Sequence, residues 1–154
     1  MVDKVRLLSE NDLEEAANIF TSVFSDVPWN EPWSYKTSYK RLLDISLTPG
    51  YIGIGYFDSN NSRLLGFLVG NEEQWADTKS FYINEICVLN NIQHSGIGTS
   101  LLEYLKHILE SKSIHEAYLS TERGNSKPEL FFKRNGFSTN ESRILMSVGI
   151  ETNI

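Results

Sequence analysis

The stretch that decides the fold is Phe81–Gly136, and its centre is the loop Gln93-His94-Ser95-Gly96-Ile97-Gly98-Thr99. Ahead of the loop, residues 81–89 read FYINEICVL, which is rich in aromatic and β-branched side chains and predicts a mostly buried strand. Behind the loop, apolar residues recur at helical spacing from Ile97 onward, with polar residues on the opposite side. The predicted order is therefore strand, glycine turn and helix.

The glycine turn places a helix N-terminus next to an exposed backbone. The first N–H groups of a helix lack intrahelical partners, and the helix dipole adds partial positive charge there. Gly96 and Gly98 carry no side chain that would keep an anion from the backbone, and both tolerate positive φ. The loop can therefore hold a phosphate group, although a Gly-x-Gly sequence can also be only a tight turn.

The wider pattern resembles the GCN5-related N-acetyltransferase (GNAT) superfamily. Gln93-x-x-Gly96-x-Gly98 follows the strand residues Glu85-Ile86-Cys87-Val88, and it precedes a helix, Asn125 and a short helix ending at Asn135-Gly136-Phe137. The resemblance implies a single acetyltransferase domain over residues 1–154 with an α+β fold. It also implies a mixed sheet of six or seven strands, formed by an antiparallel meander and a parallel βαβ crossover, with four helices. The implied cofactor is acetyl-coenzyme A.

The resemblance assigns the cofactor contacts by position. In the family, the loop after this strand grips the pyrophosphate, and the strand splays from its parallel neighbour so that pantetheine bonds to its backbone. The Val88 amide is then the predicted donor to the oxyanion. The implied cofactor-binding residues are Ile86, Cys87, Val88, Gln93, His94, Ser95, Gly96, Ile97, Gly98, Thr99, Asn125 and Phe132.

Glu85 is the predicted general base, because family members often carry a carboxylate on this strand that removes a proton from the ammonium of the acceptor. Its place in an apolar strand predicts a raised pKa, which suits a base. The alternative is a strand carboxylate that pairs with a lysine or points to solvent. Asn84, on the other face if the strand alternates strictly, is predicted to order a water.

The group that protonates the departing thiolate is where the sequence departs from its relatives. Many of them have a tyrosine at the position of Phe132, and a phenyl ring has no proton to give. Tyr82, Tyr118 or water could serve instead, or the chain could be a non-catalytic sensor of coenzyme A. Cys87 could in principle carry the acetyl group, but a free cysteine in an apolar strand without a histidine base is more often part of the core.

The predicted acceptor site lies outside the cofactor half. Trp29, Trp33 and Trp75 have acidic neighbours, among them Glu31, and in this fold such segments border the acceptor pocket. Aromatic faces with carboxylates suit a small cationic amine, which is the predicted substrate, attacked directly in a ternary complex. Two alternatives stay open: the tryptophans only pin a loop to the core, or the acceptor is a peptide or protein.

Composition narrows the possible partners. The 154 residues suit one domain, and a net charge of −6 disfavours nucleic acid and anionic membranes as partners. The absence of a long apolar run or a signal peptide, together with a single cysteine, predicts a cytoplasmic protein. The three histidines do not form a metal-ligand spacing with Cys87, so no metal site is expected. A homodimer is left open.

The remaining elements follow from periodicity and turn residues. A helix from Ser9 to about Phe24 and a second one after Ser34, ending before Pro49-Gly50, show helical spacing and N-caps. Ser126-Lys127-Pro128-Glu129 predicts the start of a short helix that Gly136 ends. Strands are predicted at residues 4–8, 51–57, 64–70, 81–89, 116–120 and Arg143–Val148. The strand at 116–120 is predicted to run parallel to the strand at 81–89, because a helical crossover joins them.

Overall fold

The computed structural model describes residues 4–93, 95–124 and 126–153. They divide into two compact units, Met1–Ser120 and Thr121–Ile154. The first unit contains the sheet and three helices, and the second contains the fourth helix. The expected single domain over residues 1–154 stays a prediction.

The sheet of the first unit has its strands in sequence order, β1-β2-β3-β4-β5. Strands β1 to β4 form an antiparallel meander, and β5 runs parallel to β4. This arrangement confirms the predicted mixed sheet with a parallel crossover, with five strands among the described residues instead of six or seven. The strands are β1 Val5–Leu7, β2 Tyr51–Phe57, β3 Leu64–Trp75, β4 Thr78–Val88 and β5 Glu116–Tyr118.

Three helices pack on the two faces of this sheet: α1 Leu13–Phe24, α2 Tyr35–Ser46 and α3 Ile97–Ser111. Helices α2 and α3 start where the sequence predicted, whereas α1 starts at Leu13, after a 3-10 turn at Glu10–Asp12 that follows the predicted cap Ser9. At α2, the Ser34 hydroxyl accepts a hydrogen bond from the Thr37 amide at 3.1 Å, which satisfies one of the unpaired amides of the first turn.

The main core lies between one face of the sheet and helices α1 and α2. Phe67 of β3 is fully buried there, and its neighbour Gly66 faces the opposite side, against Ile97 of α3. The two faces therefore separate α1 and α2 from α3. Among the described residues, the core cluster on the α1–α2 face contains Leu13, Ala16, Ala17, Ile19, Phe20, Val23, Leu42, Ile45, Phe57, Leu64, Phe67, Val69 and Cys87.

The hairpin of β3 and β4 is longer than predicted. Residues 71–79 were expected to connect the two strands, but β3 continues to Trp75 and β4 begins at Thr78. Glu72 pairs with Lys79 across the strands at 3.1 Å and with Lys112 at 3.2 Å. The Glu72–Lys79 pair joins the two strands, and Lys112, just after α3, adds a second charge contact, although polar residues alone do not predict a strand.

In the second unit, α4 spans Lys127–Arg134 as predicted. The Ser126 hydroxyl accepts from the Glu129 amide at 3.3 Å, and Pro128 lies in the first turn, where its missing N–H costs little. Gly136 follows the helix with φ of +91°, a conformation that glycine adopts without strain.

The predicted strand Arg143–Val148 is wrong. The segment has no strand pairing among the described residues, and its apolar side chains are exposed, Leu145 at 87% and Val148 at 81%. A strand forms only where a neighbouring strand satisfies its backbone groups, and β-branched composition does not supply that neighbour. The strand count falls short of six because of this segment.

Candidate functional site

The loop after β4 enters α3 through a 3-10 turn and a left-handed glycine. The turn spans Asn90–Ile92, and Ile97, Gly98 and Thr99 form the first helical turn, whose amides lack intrahelical partners. Gly96 has φ of +86°, and a Cβ built on it would meet no atom within 4 Å among the described residues beyond its two chain neighbours. The Gly96 backbone is therefore not covered by side chains of the other described residues.

Polar side chains of the loop bond back to the chain before it. The side-chain amide of Gln93 donates to the Val88 carbonyl at 3.1 Å and to Asn90 Oδ1 at 3.1 Å. The Ser95 hydroxyl donates to the Ile92 carbonyl at 2.5 Å. These bonds hold the loop in one conformation without using the amides of the first turn of α3.

One edge of β4 is partly unpaired. β5 pairs only with Ser80–Tyr82. Within the described part of the first unit, residues 83–88 therefore have β3 on one side and no strand on the other. The backbone groups that point to this open edge can bond to a ligand.

The hydrogen-bond pattern identifies which backbone groups face the open edge. The Leu89 amide donates to the Leu65 carbonyl at 3.0 Å, and the groups of an antiparallel strand alternate between its two sides. Ile86 and Val88 therefore point toward the open edge, whereas Cys87 points toward β3. The Val88 amide therefore points toward the open edge, and its role as an oxyanion donor stays a prediction.

A β-bulge at Asn84 decides which face of the sheet Glu85 occupies. Val69 pairs with Glu85 and Gly70 pairs with Ile83, so Asn84 has no partner on β3. Paired residues share a face, and Val69 belongs to the core beneath α1 and α2. Glu85 therefore faces α2, and Ile83 faces the opposite side. The strict alternation assumed in the sequence analysis fails here because of the extra residue.

The Glu85 carboxylate is mostly buried and is paired with Arg41 of α2. Arg41 Nε donates to Glu85 Oε2 at 2.7 Å, and 17% of the Glu85 side chain is exposed. Burial raises the pKa of Glu85, the charge and hydrogen bond of Arg41 lower it, and the nearby Glu31 raises it. The net pKa stays above its ordinary value, in the direction that suits a base at neutral pH.

Arg41 is a site residue that the sequence analysis missed. It is separated from Glu85 by 44 positions, so no local motif joins them. The available signal was its place on the amphipathic helix α2, directly beside the buried Leu42 and one turn before the buried Ile45. A charged residue at the border of a buried stripe often has a buried partner.

The bulged Asn84 carries an enclosed acceptor. Its side-chain oxygen has no hydrogen-bond partner among the described residues. A buried carbonyl oxygen of this kind is usually satisfied by an ordered water. This feature is consistent with the predicted role of Asn84 in ordering a water, which stays a prediction.

Two of the three tryptophans are anchored in the core. The Trp33 ring packs edge-on against the Phe20 ring, with their centroids 4.7 Å apart. The Trp29 ring packs against the Phe24 ring, with their centroids 5.4 Å apart. Trp33 Nε1 also donates to Glu31 Oε1 at 2.8 Å. These contacts support the alternative that both rings pin the segment between α1 and α2, and they also fix Glu31 close to Glu85.

Trp75 is not brought to the other predicted acceptor residues. It is 65% exposed and pairs with Thr78 at the turn of the hairpin. At ~3.3 Å per strand residue, that turn lies roughly 23 Å along β4 from Glu85. The extended hairpin explains this distance, because residues 71–79 were expected to fold as a connection beside the site.

The Cys87 thiol lies in the core and is 3% exposed. Burial, together with the charge of Glu85, raises its pKa well above the ordinary value. The side chain is therefore a thiol and a poor nucleophile. This agrees with its assignment to the core over an acyl carrier.

The two candidate acids for the thiolate, Tyr82 and Tyr118, both lie in the first unit. Tyr82 and Tyr118 are neighbours, with ring centroids 4.9 Å apart, and the Tyr118 hydroxyl donates to the Glu73 carboxylate. Phe132 is on α4 in the second unit and is buried. His94 and Asn125, both predicted cofactor residues, lie outside the described residues.

An open groove of about 350 Å³ runs along α2. Lys40 and Asp44 pair within it at 2.6 Å, one helical turn apart. Arg41 lines the same groove and also reaches Glu85. The lining residues are Trp33, Thr37, Lys40, Arg41, Asp44, Ile45 and Thr48.

Among the described residues, no helix is both long and apolar enough to cross a bilayer. No group of three histidine, cysteine or acidic side chains in the same residues is placed to hold a metal ion.

The model of the acetyltransferase (GNAT) family matches residues 13–137. No curated protein matches the sequence.

Solved structures share this fold at low sequence identity. A probable acetyltransferase superposes with a TM-score of 0.81 at 15% identity, covering 98% of this chain and 100% of that chain. An aminoglycoside acetyltransferase from an uncultured soil metagenomic sample, in complex with sisomicin, has a TM-score of 0.74 at 17% identity and 96% coverage of both chains. An aminoglycoside antibiotic 6'-N-acetyltransferase from Acinetobacter haemolyticus has a TM-score of 0.74 at 14% identity, covering 97% of this chain and 100% of that chain. At these identities the likeness shows the fold alone.

Proposed function

Because this chain belongs to the acetyltransferase (GNAT) family, we propose that it transfers an acetyl group from acetyl-coenzyme A to a small cationic amine. The transfer occurs by direct attack of the amine in a ternary complex. The observation that carries the proposal is the pair of features at the end of β4: a buried carboxylate, Glu85, and an open strand edge to which the Val88 amide points.

The open space at Gly96 and the unpaired edge of β4 support the cofactor assignment. Amides of the first turn of α3 would hold the diphosphate, because that helix end carries partial positive charge. The outward-facing backbone groups of Ile86 would bond to the pantetheine arm, and the Val88 amide would face the thioester carbonyl oxygen. When bound, acetyl-coenzyme A supplies an acetyl thioester, whose carbonyl carbon gains the bond to nitrogen as its bond to sulfur breaks.

Glu85 is the base in this proposal. An amine attacks only when it is uncharged, so one proton must leave the acceptor ammonium, and the Glu85 carboxylate accepts it directly or through water. The raised pKa of Glu85 favours this transfer. The Val88 amide donates to the oxygen on which negative charge develops. Tyr82, Tyr118 or water returns a proton to the thiolate.

Three features support a cationic acceptor. Glu31 and Glu85 lie close enough for their charges to interact, and the Trp33 indole is held beside Glu31. Carboxylates and an aromatic ring attract ammonium groups. Two structural neighbours are aminoglycoside acetyltransferases, and an aminoglycoside is an amine acceptor.

The test is turnover of acetyl-coenzyme A in the presence of a panel of amines, followed by release of free thiol. Polyamines and aminoglycosides should be acetylated faster than neutral or acidic amines, and peptides should be poor acceptors. A parallel thermal-shift titration should show stabilisation by the cofactor. Stabilisation without turnover on any amine would favour a non-catalytic sensor, and faster turnover of peptides would favour a peptide or protein acetyltransferase.

A further inference from the structure

Arg41 of α2 contacts Glu85, the proposed base. Its guanidinium crosses from α2 to β4 and donates from Nε to Glu85 Oε2 at 2.7 Å. The Arg41 side chain is 41% exposed, whereas that of Glu85 is 17% exposed. The guanidinium is thus the part of the pair that solvent reaches more readily.

The environment of Glu85 shows why this contact matters. Burial and the charge of Glu31, from the segment between α1 and α2, both disfavour a charged carboxylate. From the strands, Cys87 contributes an uncharged thiol and Val69 an apolar side chain. Arg41 is the cation that opposes these effects on Glu85 in the described part of the chain.

The geometry of the contact leaves part of the carboxylate available. Arg41 bonds to Oε2, while Oε1 accepts no hydrogen bond from a described residue and is not among the enclosed unpaired atoms. The two oxygens therefore have separate roles available: one is held by the guanidinium, and the other can receive a proton. A general base needs both a fixed orientation and a free lone pair.

We propose that Arg41 is a positioning residue for Glu85, holding its carboxylate through Oε2 in the charged form so that Oε1 receives the proton of the acceptor amine. The proposal rests on the acetyltransferase function proposed above. It assigns Arg41 an effect on proton transfer that a purely structural link between α2 and β4 would not have.

The test compares the pH profile of kcat/KM of the wild type with those of Arg41→Gln and Arg41→Lys, from about pH 5 to pH 9, the range over which a base of this kind titrates. Arg41→Gln removes the charge, so the pKa of Glu85 should rise and the acidic limb should move to higher pH. On that limb the rate should fall about tenfold, since an opposite charge in hydrogen-bond contact changes carboxyl proton affinity at least that much. Arg41→Lys keeps the positive charge, so the acidic limb of its pH profile should lie close to that of the wild type.

Lys40→Gln is the matched control. Lys40 precedes Arg41 on the same helix and lines the same groove, but it pairs with Asp44 at 2.6 Å. Its removal changes the helix charge by the same amount without touching Glu85. The acidic limb of this variant should coincide with that of the wild type, and a shift as large as that of Arg41→Gln would overturn the proposal.

A second measurement keeps the two proposals separable. The Glu85 carboxyl can be titrated by ¹³C NMR in protein without substrates, with its signal assigned from its loss in Glu85→Gln. A titration unchanged by Arg41→Gln would overturn the role of Arg41, whether or not the protein turns over acetyl-coenzyme A. A titration shifted to higher pH, in a protein that acetylates no amine, would support the pairing and reject the proposed function.

Discussion

The two halves of β4 differ in every property that matters for the site. Thr78–Ile83 pairs with β3 and, at Ser80–Tyr82, also with β5, and its buried side chains are the apolar Phe81 and Ile83. Glu85–Val88 pairs with β3 alone and turns a carboxylate toward α2. One continuous strand therefore has a half that is paired on both sides at Ser80–Tyr82 and a half that combines a partly buried carboxylate with an edge unpaired within the described part of the first unit.

The bulge at Asn84 separates these halves, and it explains both differences. An extra residue on one strand reverses the alternation of side chains and increases the local twist. The reversal moves Glu85 to the face of α1 and α2, away from the face of Ile83. Increased twist also fits the end of pairing with β5 just before the bulge. The function proposed for β4 depends on this single residue.

The largest expected effect comes from removing the Glu85 carboxylate, which distinguishes the Glu85–Val88 half of β4 from the other half. Glu85→Gln should lower kcat/KM for a cationic amine about 100- to 1,000-fold, the range expected for a lost general base. The loss should be largest at low pH, where the amine is protonated, and should shrink as the amine loses its proton in solution. Cofactor affinity, measured by calorimetry, should stay unchanged.

Glu103→Gln is a suitable control for this experiment, because Glu103 is exposed on α3 and lies outside the proposed site. It should keep the kinetics of the wild type. Equal kinetics of Glu85→Gln and the wild type at every pH would remove Glu85 from the mechanism. The two halves of β4 would then differ only in their backbone pairing.

The second prediction tests the bulge through its partner strand. A Cβ on Gly70, which pairs with Ile83 next to the bulge, would lie 2.2 Å from the Tyr82 carbonyl oxygen and 2.7 Å from the Phe81 ring. Gly70→Ala should therefore lower the free energy of unfolding by about 2 to 3 kcal/mol, as strands separate to relieve the overlap. Urea denaturation followed by circular dichroism measures this change.

Gly149→Ala provides the matched control, since a Cβ there meets no atom within 4 Å. It should change the free energy of unfolding by less than about 0.5 kcal/mol. A Gly70→Ala protein as stable as this control would mean that β3 and β4 do not approach as closely as the bulge requires.

Local patterns predicted the parts of the molecule that depend on neighbouring residues. The start of α3, the left-handed glycine at Gly96 and the cap at Ser126 each follow from a few adjacent side chains. The meander and the parallel crossover followed from the order of elements. For the candidate site, the resemblance of one contiguous stretch to a known family pointed to Glu85 and the loop, and their roles stay predictions.

The remaining features depend on residues far apart in the sequence. Arg41 meets Glu85 only because α2 packs over β4, and the bulge depends on the register between β3 and β4. The exposed segment at 143–148 shows the converse error, in which apolar composition predicted a strand without a neighbour to pair with. Long-range pairing cannot be inferred from a single sequence window.

The third prediction concerns the loop that follows the second half of β4. Gly96→Ala should destabilise the protein by about 1 kcal/mol, because φ of +86° is unfavourable for a residue with a Cβ. The open space around Gly96 means that steric overlap adds nothing to this cost. Affinity for coenzyme A should fall as well, because the methyl group enters the space proposed for the diphosphate. Unchanged affinity by calorimetry would argue that the nucleotide binds elsewhere.

The smallest expected effect concerns Glu72, on the part of β3 near the turn of the hairpin, and it depends on pH. Burial raises the pKa of Glu72, but hydrogen bonds and charges from Lys79 and Lys112 outweigh it, so the net pKa lies below its ordinary value of 4.5. A lowered pKa in the folded state means that the carboxylate stabilises the fold above pH 4.5, and that this contribution disappears as pH falls through the lowered pKa. Because both lysines are about half exposed, Glu72→Gln should cost less than about 1 kcal/mol at neutral pH. Denaturation of both proteins in urea at neutral pH and below pH 4 should show the two curves converging on acidification, whereas a difference that persists in acid would mean that Glu72 supports the hairpin by packing and not by charge.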